Sequence, residues 1–232
     1  MKKTSLISLV CALVLVLSVS VCASGFEKKR TYSEGMFSDI KAGAWYVNDI
    51  KNAYELEFLN GKGDGVMAPD GNVTVAEAIT IASRLHSIYN SREIPAVSGN
   101  QWYDMYISYA KNAGIIDENA FGSYDRPVRR YEMAVMFANA LPKSYYNAKN
   151  SINAIPDINE NEEYADELLM LYRAGVVLGS DKYGTFHPTN SIKRCEAAAI
   201  INRAALPGTE YREHLRLFPN TRNLFISLTT IQ

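Results

Sequence analysis

Two pairs of adjacent cations stand where the sequence begins a helix: Arg129-Arg130 ahead of Glu132, and Lys193-Arg194 ahead of Glu196. A cation at a helix N-terminus opposes the macrodipole by roughly 0.3–1 kcal/mol, so selection for stability alone disfavours both pairs. An anion resolves the conflict, because the first turn offers free N–H donors and positive potential. Arg also presents a planar fork that suits a carboxylate. The competing reading needs no ligand: the long side chains run outward and pair with acids such as Asp125. The residues alone leave these two readings level. The matching stretch Thr74-Val75-Ala76-Glu77 has no cation and fits a capping box, in which Thr and Glu satisfy the first backbone donors reciprocally. On that spacing Glu77, Glu132 and Glu196 are helix caps rather than catalytic acids.

Other residues with chemical potential are read more plainly. Trp45 and Trp102 each begin a helix, where a ring either covers the core or stacks on a sugar face; packing is the default for the residues alone. Gly63-Asp64-Gly65 supplies too few oxygen ligands for calcium and is read as a tight turn. The acids of Asn159-Glu160-Asn161-Glu162-Glu163 suit a solvated first helical turn. His86, His187 and His214 share no metal-ligand spacing, and no nucleophile motif, phosphate loop or dinucleotide fingerprint is present. No cofactor and no metal are expected.

The elements that must position these residues recur along the chain. Counting 1, 4, 5 and 8 residues on from each glutamate gives Ala78, Ile81, Ala82 and Leu85, then Met133, Met136, Phe137 and Ala140, then Ala197, Ile200, Ile201 and Ala204. Each set is an apolar stripe at helical period. Upstream of each lies a second helical pattern opening on Trp45-Tyr46, Trp102-Tyr103 or Glu163-Tyr164. Apolar residues follow in register: Ile50, Ala53 and Phe58; Ile107, Ala110 and Ile115; Leu168, Leu171 and Val176. Three related helix-loop-helix repeats are therefore expected, over 36–90, 101–142 and 154–206, with polar linkers near 90–101 and 142–153. A helix pair cannot cover its own apolar face, so the three should share one core.

The start of the chain has a different character. Lys2 and Lys3 precede an apolar run from Leu6 to Val21, with Val21 and Ala23 placed for cleavage. This predicts a secretory signal peptide over 1–23; the run is too short to span a bilayer. Bulky Val21 argues against lipid attachment at Cys22. Removal takes two lysines and no acids, moving the formal net charge from −1 to −3. That balance gives no support for nucleic-acid binding, and no second apolar stretch approaches membrane-spanning length. Cys195 is then the one remaining cysteine, read as a packed small residue. The short tail 207–232 contains the apolar segment Leu224-Phe225-Ile226-Ser227-Leu228.

An ordered set of motifs resembles the S-layer homology (SLH) family. Phe37-Ser38-Asp39-Ile40 followed by Trp45 is similar to the family's opening signature. Val176-Val177-Leu178-Gly179, Gly184-Thr185-Phe186-His187-Pro188 and Ile192-Lys193-Arg194-Cys195-Glu196 are similar to its closing half. The resemblance implies an all-α, pseudo-threefold assembly of three repeats with grooves between them. It implies non-covalent binding of a secondary cell-wall polysaccharide attached to peptidoglycan, often a pyruvylated one, by an exported protein of a Gram-positive-type wall or S-layer. Arg130 and Arg194 match the arginine that the family associates with the acidic sugar; Val75 stands in its place in the first repeat. Arg129, Lys193, Trp45 and Trp102 complete the glycan-binding set, and Thr74, Glu77, Glu132 and Glu196 the capping set. Substituting either arginine is then expected to weaken binding and spare folding. The alternative is a structural or protein-binding role within a surface layer. A glycosidase is disfavoured, since only 207–232 lies outside the repeats.

Overall fold

The computed structural model describes residues 25–206. The expected signal peptide with its cleavage site, Cys22, His214 and the tail 207–232 lie outside them. The described residues form six α-helices: α1 (Val47–Glu55), α2 (Val75–Tyr89), α3 (Asp104–Asn112), α4 (Arg130–Ala140), α5 (Ala165–Arg173) and α6 (Arg194–Ala205), plus a 3₁₀ turn at Lys143–Tyr145. Among the described residues the extended pairings are isolated bridges and not strands. The class is all-α.

Helices α1, α3 and α5 have nine residues each, too few to persist alone in water. Packing must hold them. All three end on the same Schellman motif. Phe58 N–H donates to Ala53 O at 2.9 Å, Ile115 N–H to Ala110 O at 2.8 Å, and Val176 N–H to Leu171 O at 2.9 Å. The residue just before each donor takes a left-handed conformation: Gly114 (φ 69°), Gly175 (φ 73°) and, with a side chain in the way, Glu57 (φ 63°). The second apolar set of the sequence pattern thus doubles as the buried lock of each helix end.

The two helices of one pair do not make the main contacts with each other. Instead α3 packs on α2, α5 on α4 and α1 on α6, with α2 also against α4. Each first helix therefore leans on the second helix of another pair, and among the described residues the first helix, α1, meets the last, α6. All twelve residues of the three glutamate stripes are buried, within one continuous apolar cluster drawn from all three pairs. Cys195 lies inside it, where burial pushes its thiol up to about 11 and leaves it unreactive.

Backbone hydrogen bonds around the starts of α2, α4 and α6 close the same cycle. Arg194 and Cys195 N–H donate to Gly71 O and Pro69 O at 2.9 and 3.0 Å. Arg130 and Tyr131 N–H donate to Asn190 O and Pro188 O at 2.9 and 3.1 Å, and Val75 and Ala76 N–H donate to Arg126 O and Tyr124 O at 3.0 and 2.9 Å. The first two donors of each helix have no partner within it; here each finds carbonyls in the loop of another helix pair. The three helix starts are thereby built into one connected unit.

Candidate functional site

The three glutamates act as caps. Glu77 Oε2 accepts from Thr74 N–H at 3.0 Å while Thr74 Oγ1 accepts from Glu77 N–H at 3.3 Å, a reciprocal capping box. Glu132 and Glu196 make the returning half only, accepting from Arg129 N–H at 2.8 Å and Lys193 N–H at 2.9 Å. Arg and Lys side chains have no acceptor with which to complete it.

The second oxygen of each glutamate receives a cation. Arg194 Nη1 donates to Glu77 Oε1 at 2.7 Å, and Lys62 Nζ reaches the same oxygen. Arg130 Nη1 donates to Glu196 Oε1 at 3.3 Å. Glu132 is held by Arg126 from its own loop, Nη2 to Oε1 at 2.7 Å and Nη1 to Oε2 at 2.9 Å. By the cyclic order, residue 75 would serve Glu132, and it is Val75. Burial raises the Glu77 carboxyl, but the hydrogen bonds from Lys62 and Thr74 N–H and the Arg194 charge outweigh it and hold the group below the usual carboxylate range. The same balance, with Arg126 as the donor, lowers Glu132.

Both arginines turn inward, which corrects the picture of side chains presented at the surface. Arg194 is 2% exposed; besides Glu77 its guanidinium donates to Met67 O at 2.9 Å and to Asn60 O. Arg130 is 7% exposed, donates to Phe186 O at 2.8 Å and lies 5.0 Å from the Phe186 ring centre. Neither cation runs outward to an acid such as Asp125. The dipole conflict is answered by glutamates and backbone carbonyls of a neighbouring helix pair.

The remaining four candidates face outward. Trp45 and Trp102 are 45% and 58% exposed, so core packing, the default for the residues alone, does not describe them. Their neighbours Tyr46 and Tyr103 go inward, with ring centres 5.6 and 5.4 Å from the respective Trp. Arg129 and Lys193 are exposed at the caps of α4 and α6. Lys193 Nζ meets Asp70 Oδ1 at 2.9 Å, an exposed ion pair joining loops from the first and third helix pairs. Burial and then the Asp70 carboxylate raise the Tyr46 phenol, which ties Trp45-Tyr46 to this ion pair. Burial and then Asp125 do the same for Tyr103 beside Trp102. At α5 the ring of Tyr164 stacks on Tyr131 at 4.3 Å, next to the Arg129-Arg130 pair. The opening of each first helix therefore lies near the cap of a second helix from another pair.

Two aspartates hold these loops, a role not assigned from the sequence: Asp39, named there only within the opening motif, and Asp157. Asp39 accepts from Met67 and Ala68 N–H at 2.9 and 2.6 Å, and Asp157 from Phe186 and His187 N–H at 2.8 and 2.6 Å. They hold Ala68 (φ 54°) and His187 (φ 57°) in the left-handed conformation just before Pro69 and Pro188. The carbonyls of Met67 and Phe186 are the ones that receive Arg194 and Arg130. A signal was present: each aspartate stands six residues before the opening of the aromatic pair. The loop at Gly63-Asp64-Gly65 is a tight turn closed by Val66 N–H to Gly63 O at 2.9 Å.

The sequence is similar to those of known proteins. The S-layer homology domain matches residues 37–79, which contain α1 and the start of α2. The chain is similar to an endoglucanase of Bacillus sp. (strain KSM-635), 25% identical over 211 residues, covering 84% of this chain and 22% of the relative. It is 25% identical over 179 residues to an S-layer protein of Bacillus thuringiensis subsp. finitimus, covering 71% and 21%. It is 28% identical over 162 residues to cell surface glycoprotein 1 of Acetivibrio thermocellus, covering 63% and 7%. The chain thus spans less than a quarter of the length of each of these relatives. Relatives named as glucanase, S-layer protein and surface glycoprotein share with it a small fraction of their length, and residues 37–79 of this chain match the S-layer homology domain.

Proposed function

We propose that this protein is a non-enzymatic cell-surface module that holds non-covalently to the wall by binding an acidic secondary polysaccharide, such as a pyruvylated one. In this reading the described residues are three SLH-type repeats in a pseudo-threefold assembly, and the protein is exported by the signal peptide of residues 1–23. The single observation that carries it is the exposure of Trp45, at 45%, at a helix opening whose Tyr46 lies in the field of Asp70, the partner of Lys193; Trp102 is likewise exposed, at 58%. Tryptophan is enriched at binding surfaces, and an indole with a neighbouring cation suits a sugar ring that carries a carboxylate. Arg129 and Lys193 supply the outward charge. Arg130 and Arg194 act from beneath, fixing the neighbouring loops that face those cations. The relatives named as S-layer proteins and a cell surface glycoprotein support the wall as the destination. No helix among the described residues is long and apolar enough to cross a membrane.

The capping glutamates support the non-enzymatic reading, since all three are committed to backbone N–H groups and to cations. A second reading, contact with other surface-layer proteins, draws on the same exposed tryptophans. Sedimentation of the protein with purified walls, before and after selective removal of the secondary polysaccharide, separates the two. Binding that disappears with the polysaccharide is the expected result. Binding that survives its removal contradicts the proposal.

A further inference from the structure

The three helix starts are built alike but carry different charges. The loop residue after Pro69, Tyr124 and Pro188, whose carbonyls receive the α6, α2 and α4 donors, is Asp70, Asp125 and Thr189 respectively. The cap residues facing those loops are Lys193, Thr74 and Arg129. The pairings are therefore Lys193 with Asp70, Thr74 with Asp125, and Arg129 with Thr189. The second has an acid and no cation. The third has a cation, but its groove opens on Glu163 where the others have a tryptophan. The groove of Trp45 and Lys193 alone among the three combines an exposed indole with a cation, and there the cation is already paired.

We infer that Asp70 is an internal competitor for Lys193, occupying the place that a carboxylate of an acidic saccharide takes on binding beside Trp45. This rests on the polysaccharide-binding reading above. The side chains of Lys193 and Asp70 are 51% and 69% exposed, so the pair is open to exchange and is weakly held, as exposed ion pairs are. Asp70 also lies within the field of Lys41, whose charge lowers its pKa along with that of Lys193. A displaced Asp70 thus keeps a cation nearby, which makes the exchange easy. Discrimination follows: a neutral saccharide cannot replace the carboxylate and gains nothing from Lys193, whereas an acidic one exchanges one charged partner for another.

The test is calorimetric titration of the full chain with secondary polysaccharide released from purified walls, and with the same polymer after reduction of its carboxyl groups. Asp70→Asn should bind the acidic polymer about two- to fivefold more tightly than the wild type, the worth of an exposed ion pair expressed as affinity. It should show no gain on the reduced polymer. Asp70→Asn combined with Lys193→Ala should show no gain on either. Thermal unfolding of each variant verifies that the fold is intact. Wild-type binding with an Asp70→Asn affinity that is unchanged or lower overturns the competitor role and leaves the function standing. A gain on both polymers, or one that survives Lys193→Ala, also overturns it. Absence of binding by wild type and Asp70→Asn alike overturns the polysaccharide reading and this inference with it.

Discussion

Arg194 Nη1 lies 2.7 Å from Glu77 Oε1, although the two residues are 117 positions apart in the chain. The guanidinium joins the start of α6 to the cap of α2 and to the loop carbonyls of Met67 and Asn60. It is a clasp between the last helix pair and the first.

Arg194→Ala should therefore cost about 3 kcal/mol of folding stability, because removing one partner of a buried pair leaves the other groups unsatisfied. Arg130→Ala should cost less, since its contact with Glu196 is longer, at 3.3 Å, and Glu196 is more exposed than Glu77. Urea unfolding midpoints measure both. This outcome replaces the expectation from sequence that arginine substitution spares the fold. Two midpoints equal to the wild type would show the clasps to be ornamental.

Glu57 occupies the left-handed position that Gly114 and Gly175 fill at the ends of α3 and α5. A side chain there is strained, and glycine removes the strain. Glu57→Gly should stabilise the protein by about 0.5–1 kcal/mol, after the loss of the partly exposed Arg30–Glu57 ion pair at 3.0 Å. A higher Tm is the expected reading; a lower one would mean that the ion pair outweighs the backbone.

Glu77 and Glu132 have carboxyls held below their usual value of 4.5. A carboxylate lowered on folding contributes stability that is present above its unfolded pKa and lost as pH falls through the folded one. Stability should thus hold from neutral pH to about pH 5 and decline below the ordinary carboxylate range. Urea midpoints from pH 7 to pH 3 should show the decline, and Glu77→Gln should flatten it at the cost of lower stability at pH 7.

The cyclic packing makes the three helix pairs interdependent. A chain ending at Leu141 lacks α5 and α6, so α1 loses its main partner and Glu77 loses Arg194. It should lose cooperative unfolding in urea. A transition as sharp and as late as that of the full chain would contradict a shared core.

What was legible in the sequence follows from the range of each interaction. The stripes such as Met133, Met136 and Phe137 and the helix openings at Tyr46, Tyr103 and Tyr164 are local periodicities, and all of them lie where the spacing put them. The Arg130 and Arg194 pairs were visible as an anomaly against the helix dipole, but its resolution was not. Their partners are Glu196 and Glu77, far along the chain, and nothing in a 3.6-residue period states which pair packs on which. The exposure of Trp45 and Trp102 was equally hidden. Each precedes an inward tyrosine, and one step along a helix start decides which of the two rings faces the core.

The polysaccharide-binding groove at Trp45 and Lys193 is the central claim, and calorimetric titration of Trp45→Ala and Lys193→Ala with isolated secondary wall polysaccharide tests it most directly. Both residues are exposed, so the variants should unfold like the wild type while each loses on the order of tenfold in affinity, the loss expected of a charged hydrogen bond or a stacked ring. Val75→Ala, at a helix start with no cation, should leave affinity unchanged. Folded Trp45→Ala and Lys193→Ala proteins that bind as tightly as the wild type would contradict the claim.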